Sequence, residues 1–285
     1  MSHILIAGLG DLGTGLAETL LAEGHRVSAI RRGDRCPPGV ELYSQDLTEG
    51  AALLPPDQVD LLVIIMTPSE YSEAGYLKAF VRAPLTLLDA LAQQQPLPPV
   101  VFVSSSAVFG DQDGEVDELT PPTPSRYNGK VLLAAEEEIS TRTMATVVRF
   151  SGIYGPGRHR QIDKAVRLAR GEEPLPSAQW TNRIHRDDCV GLLKQVADGW
   201  LAGQEMPPLV MGTDQVGGRN LDVLQWLAEQ QGLALAVPDT APSGKRITSR
   251  YLSQGHYTLQ YPGYREGYAQ VLAARGEGAN GVKSR

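Results

Sequence analysis

The chain has 285 residues, 42% hydrophobic and 21% charged, an ordinary globular composition that is long enough for one large domain or two lobes. A net charge of −7, with no basic stripe carrying interleaved aromatics, argues against nucleic acid or an anionic membrane as partner. The two cysteines, Cys36 and Cys189, make neither a disulfide framework nor a metal-ligand pair, no residue cluster has metal-site spacing, and no apolar run approaches the roughly eighteen residues of a membrane span. With a strand at the outset in place of a charged leader, the expectation is a soluble, cytoplasmic protein.

Residues 2–7 read as a short buried strand. Gly8-Leu9-Gly10-Asp11-Leu12-Gly13 follows, then an apolar-periodic helix through Leu16, Leu20 and Leu21 to Gly24. In such a strand, turn and helix, Gly8 permits the tight turn, Gly10 lets backbone amides approach a pyrophosphate, and Gly13 lets the helix pack on the strand. The positive end of the helix dipole then faces the phosphates. A second strand, 26–30, completes the context that a dinucleotide fingerprint needs. An NAD site usually ends that strand with an acid for the ribose hydroxyls. Here Arg31-Arg32 stand instead, suited to a 2′-phosphate. The expected cofactor is therefore NADP, with NAD the alternative if Asp34 supplies the acid.

A third strand is expected at 40–43, and Gln45-Asp46-Leu47-Thr48 should lead into a short helix ending at Pro55-Pro56. Residues 60–66 are almost continuously apolar, as in a parallel strand covered on both faces, and Thr67 helps to close it. Helical spacing covers 71–95, interrupted at Pro84. Strand 100–103 delivers Ser104-Ser105-Ser106-Ala107-Val108-Phe109-Gly110 to its carboxyl end, where open parallel sheets bind ligands. A polar loop, a helix from about Ser125 and a strand at 145–150 follow. Then come a turn at 152–158, a helix at 161–170, an extended stretch at 180–188, a helix at 188–201, a strand at 208–211 and a helix at 220–231. The tail from Gly276 is expected to fray. Alternating strands and helices imply right-handed crossovers and an α/β, doubly wound sheet.

Taken together, the glycine turn, Asp46-Leu47, the segment from Ser104 to Gly110, Arg149 with Tyr154-Gly155-Pro156-Gly157, and Ile184-His185-Arg186-Asp187-Asp188 resemble the extended short-chain dehydrogenase/reductases. This is the NAD-dependent epimerase/dehydratase group, and the chain looks like an atypical branch of it. The resemblance spans nearly the whole chain. It implies a seven-stranded, mostly parallel Rossmann sheet with a small C-terminal substrate lobe. The cofactor-binding domain would comprise 1–153 and 184–213, and the lobe 154–183 and 214–285.

The resemblance also implies a catalytic Ser, Tyr and Lys, in which the tyrosine is the general acid or base, the lysine lowers its pKa, and the hydroxyl orients the substrate oxygen. Ser105 matches the hydroxyl position. The family spaces Tyr and Lys four apart, whereas Tyr127-Asn128-Gly129-Lys130 is one residue short. Either Tyr127 and Lys130 still converge, or Lys130 holds the lysine position and the tyrosine position falls on Arg126, which is no acid at neutral pH.

Gly8, Gly10, Asp11, Leu12, Gly13, Arg31, Arg32, Asp46, Leu47, Thr67, Ser104 and Lys130 are the implied cofactor contacts. Ser106, Ser151, Tyr154, Arg158 and His185 are the implied substrate contacts. Ser151 stands where many sugar-nucleotide members have Asn, and Thr181 where they have Arg, so a small carbonyl or hydroxyl substrate, acidic or phosphorylated, is expected ahead of a typical UDP-sugar. A homodimer is the partner that the family allows. A protein that binds the dinucleotide as a sensor without catalysis is the alternative. The glycine turn also resembles that of β-hydroxyacid dehydrogenases, but strands and glycine turns after residue 145 do not fit the all-helical second domain of those proteins.

Overall fold

The computed structural model describes residues 1–50 and 52–281. Seven parallel strands form the central sheet: β1 His3–Ala7, β2 Arg26–Arg31, β3 Glu41–Ser44, β4 Leu61–Ile64, β5 Val100–Ser105, β6 Ala145–Phe150 and β7 Leu209–Gly212. Their spatial order is β3-β2-β1-β4-β5-β6-β7. The order reverses between β1 and β4, which makes the switch point where doubly wound sheets bind ligands.

Side-chain alternation divides the core into two layers. Ile4 and Ile6 of β1 point to one face, where α1 (Asp11–Ala22) contributes Leu12, Leu16 and Leu20 to the same apolar cluster. Leu5 and Ala7 point to the other face and join Leu87, Leu88 and Leu91 of α2 (Ala83–Gln94) and Leu132, Ala135 and Ile139 of α3 (Tyr127–Arg142). A separate apolar cluster joins α4 (Arg160–Ala169) to later segments. The helix Arg186–Leu201, here α5, returns to the first face through Leu192, Leu193 and Val196, whereas α6 (Asn220–Gln230) and α7 (Tyr264–Gly281) pack on α4 through Leu227, Tyr268 and Val271.

Several elements differ from expectation. No helix forms at 45–50 or 52–56. Asp46 Oδ1 instead accepts from the Thr48 amide at 2.9 Å and the Thr48 hydroxyl at 2.7 Å, and the Gln45 side chain bonds both backbone groups of Leu53. Such local bonds compete with a helix for the same backbone groups. The segment 73–94 is helical but passes through a π-helical stretch, Leu77–Arg82, before Pro84 enters the first turn of α2. Lacking an N–H, Pro84 suits a first turn better than a helix interior.

Gly152–Tyr154 is a strand paired in parallel with Arg183–His185, not a turn. The last helix runs on to Gly281 where fraying from Gly276 was expected, and 282–285 lie outside the described residues. Among the described residues, no helix is long and apolar enough to cross a membrane.

Candidate dinucleotide site

A cleft of about 440 Å³ opens beyond the carboxyl ends of β1, β2 and β4, at the switch point. Gly8 takes a φ of +104°, and a methyl group there would collide with the Ile65 carbonyl. A methyl at Gly13 would collide with the carbonyl of Gly8, so helix and turn touch through bare backbone. Around a Cβ at Gly10, by contrast, nothing lies within 4 Å, and Gly10 lines the cleft as the N-cap of α1 with no side-chain cap. The first-turn amides of α1 thus face open space, as a pyrophosphate requires.

Arg31, Arg32, Asp46, Leu47 and Thr67 line the same cleft, together with Lys78. Arg32 donates to Ser69 at 2.5 Å and lies 3.9 Å from Asp46, while Arg31 donates to the Arg35 carbonyl. Burial alone would raise the Asp46 carboxyl, but the bonds from Thr48, with Arg32 and Lys78 nearby, hold it below its usual value. Lys78 carried no sequence signal, because it sits in the π-helical stretch outside any motif. The side chain of Leu12, grouped with the cofactor contacts, is on the buried face of α1.

Asp11 also turns away from a ligand role. Its carboxylate lies 2.9 Å from Arg158 and 2.8 Å from Arg186, and Arg186 donates to its backbone carbonyl as well. Arg158, expected on the substrate side, therefore ties the segment after Tyr154 to the glycine turn.

At the end of β5, Ser105 Oγ accepts from the Ala107 amide and caps the 3-10 turn Ser106–Phe109, which begins at half-buried Ser106. Tyr127 and Lys130 are not brought to it. The sheet-facing side of α3 is set by Gly129, Leu132, Glu136 and Ile139. A Cβ at Gly129 would stand 2.5 Å from the Ala107 carbonyl, so this face presses directly on the 3-10 turn.

At 100° per residue, Lys130 is rotated outward and is exposed, with Tyr127 on the same flank. The Tyr127 hydroxyl donates to the Tyr71 carbonyl at 2.8 Å, and its ring meets Tyr76 edge-on at 5.5 Å. The i and i+3 spacing gives one side of the helix, but not the side that faces Ser105.

Four further residues are structural where ligand contacts were expected. The Ser104 hydroxyl donates to Glu136 at 2.5 Å, and Arg149 grips the same carboxylate at 3.0 and 2.6 Å while lying over the Phe109 ring, all of it buried. Glu136 was concealed in the run Glu136-Glu137-Glu138. Ser151 is buried and donates to the Gly212 carbonyl at 3.2 Å. Tyr154 is buried, donates to the Gly263 carbonyl and packs on Tyr268, and its desolvated hydroxyl is pushed far above the usual phenol range.

His185 is fully buried, with its ring centre 3.9 Å from that of Tyr261, and desolvation lowers its pKa despite Asp187 nearby. Asp188 beside it accepts from the Tyr257 hydroxyl and from the Gln260 and Tyr261 amides, anchoring the C-terminal segment.

Residues 4–197 match the model of the NAD-dependent epimerase/dehydratase family. The chain belongs to that family. Protein YeeZ of Escherichia coli K12 is 29% identical over 206 residues, covering 68% of this chain and 72% of its own. A solved NAD-dependent epimerase/dehydratase from Methylobacillus flagellatus is 36% identical with a TM-score of 0.81, and the match covers 96% of this chain and 98% of that one. MoeE5, solved with UDP-glucose and NAD, shares the fold at 23% identity and a TM-score of 0.74, over 97% of this chain and 99% of its own. The family relation accounts for the open turn at Gly10: the cradle and the cleft beyond it fit a dinucleotide along the ends of β1 and β2.

Proposed function

We propose that the protein is an NADP(H)-dependent oxidoreductase acting on a small carbonyl or hydroxyl compound. The observation that carries this reading is the joint presence of Arg31, Arg32 and Lys78 around the cleft at the end of β2, where a ribose 2′-phosphate would arrive. Guanidinium groups bind such a phosphate bidentately, and an ammonium adds a point charge. Asp46 is the competing feature: held ionised by Thr48, it could accept from a ribose hydroxyl, which is how NAD would be taken. Solved family-fold neighbours such as MoeE5 carry NAD.

When bound, the nicotinamide supplies hydride exchange with a carbon of the substrate. The chain's own residues would hold the cofactor by the Gly10 turn and orient the substrate oxygen by Ser105; Tyr127, on the flank of α3 away from Ser105, would have to swing off the Tyr71 carbonyl and the Tyr76 ring to serve as proton donor or acceptor. Replacing Tyr127 by Phe should lower turnover by about 100-fold or more with the cofactor Kd unchanged. Unchanged turnover removes Tyr127 from the mechanism.

A second reading is a dinucleotide-binding sensor without catalysis, favoured by the engaged Tyr127 hydroxyl and the outward Lys130. Cofactor binding with no turnover across carbonyl and alcohol substrates would decide for it.

A further inference from the structure

Asp11 works against the ligand that its own turn is built to take. It is the first residue of α1 and the one acid of that helix's first turn, next to Gly10 at the cleft. A carboxylate there gains from the helix dipole, but it draws on the same positive end that a pyrophosphate needs and repels the phosphate charge.

Two arginines from distant parts of the chain oppose it. Arg186, at the start of α5, donates from Nε to Asp11 Oδ1 at 2.8 Å and from Nη2 to the Asp11 carbonyl at 2.9 Å, but its Nη1 goes to Asp187 at 3.0 Å. Its charge is thus shared between two carboxylates. His185, 3.6 Å from Asp187, adds no charge at neutral pH because desolvation lowers its pKa, and Asp188 is turned to the 257–261 segment.

Arg158 makes up the balance. Its Nη1 lies 2.9 Å from Asp11 Oδ2, and among the described residues no other carboxylate comes within 4 Å of it. The contact lacks hydrogen-bond alignment, so charge and not a directed bond joins the pair. The glycine segment before Arg158 brings it there: a methyl at Gly155 would stand 2.8 Å from the Arg186 Cβ, and the Arg158 amide donates to the Gly155 carbonyl at 3.1 Å. With Arg158 in place, Asp11 and Asp187 are matched by two guanidiniums. Without it, one negative charge is left over beside the turn.

We propose that Arg158 sets the affinity for the dinucleotide by cancelling the Asp11 charge, acting through Asp11 and not by touching the ligand. The proposal rests on the dinucleotide reading of the cleft. NADPH and NADH are titrated, by nicotinamide fluorescence, into the unmodified protein, Arg158→Gln, Asp11→Asn and the double variant, at about 20 and about 200 mM salt.

Arg158→Gln should weaken both nucleotides by the same factor, roughly threefold or more at the lower salt and less at the higher. The factor is shared because the pyrophosphate is common to both, and it is screened because both side chains are partly exposed. Asp11→Asn should tighten both nucleotides, and the double variant should recover the loss seen in Arg158→Gln. A mere tether between segment and turn gives the opposite sign for Asp11→Asn, which breaks the same ion pair; that sign also decides should Arg158→Gln fail to fold. Binding by Asp11→Asn no tighter than that of the unmodified protein, or by a folded Arg158→Gln no weaker, overturns the inference and leaves the cofactor site standing. No binding of either nucleotide by the unmodified protein overturns the dinucleotide reading and this inference with it.

Discussion

The two glycines of the turn do different work, and single methyl groups separate them. At Gly8 a side chain meets both the Ile65 carbonyl and a φ of +104°, so Gly8→Ala should destabilise the fold by about 1–3 kcal/mol, read by chemical denaturation. At Gly10 nothing within 4 Å opposes a methyl group, so Gly10→Ala should keep the denaturation midpoint yet weaken dinucleotide binding, because the methyl occupies the ligand's approach. Glu136→Gln leaves Arg149 buried beside a neutral amide, and breaking such a pair costs about 3–5 kcal/mol. Gly8 and Gly13 were legible in the sequence because backbone contact admits no other residue there. Tyr127 and Lys130 were not, because spacing along α3 gives their common side, whereas Gly129 and Glu136 decide which side meets the sheet. Ser104, Ser151, Tyr154 and His185 were legible as a set but not in role: whether a polar residue faces a ligand or a buried partner depends on what packs over it.

Whole elements were read well where a strand is covered on both faces, as at 60–66 and 100–103, since a continuous apolar run has few alternatives there. They were misread where side chains replace backbone pairing: Gln45 and Asp46 hold 45–53 without a helix. The C-terminal helix carried little sequence signal because its buried face is made largely by Tyr264, Gly267 and Tyr268, with Val271 its one fully buried aliphatic residue. Its approach depends on Asp188, whose carboxylate takes three hydrogen bonds from 257–261. Asp188→Ala takes the acceptor from the Gln260 and Tyr261 amides and the Tyr257 hydroxyl and should lower stability by about 1–3 kcal/mol, with limited proteolysis cutting first near 257–263. Equal protease resistance in the variant would show that the tyrosine packing alone holds the segment.

At the scale of the molecule, burial raises the Asp214 carboxyl from 3.8 to about 6, with Arg183 opposing. A carboxyl whose folded pKa exceeds its unfolded one favours folding below the unfolded value, and that contribution is lost as pH rises through the folded value. Between pH 4 and 6 the group should therefore remove up to about 3 kcal/mol of stability. Asp214→Asn should be the more stable protein at pH 7 and should lose that advantage as pH falls toward 4. The cleft at the β1/β4 switch point is proposed to take NADP(H), with its 2′-phosphate on Arg31, Arg32 and Lys78. Titration of the purified protein with NADPH and with NADH, followed by nicotinamide fluorescence and repeated on Arg31→Ala and Lys78→Ala, tests it most directly. NADPH should bind at least about tenfold tighter than NADH, with the preference reduced in both variants. Equal affinity for the two nucleotides, or a preference that survives both substitutions, would contradict it.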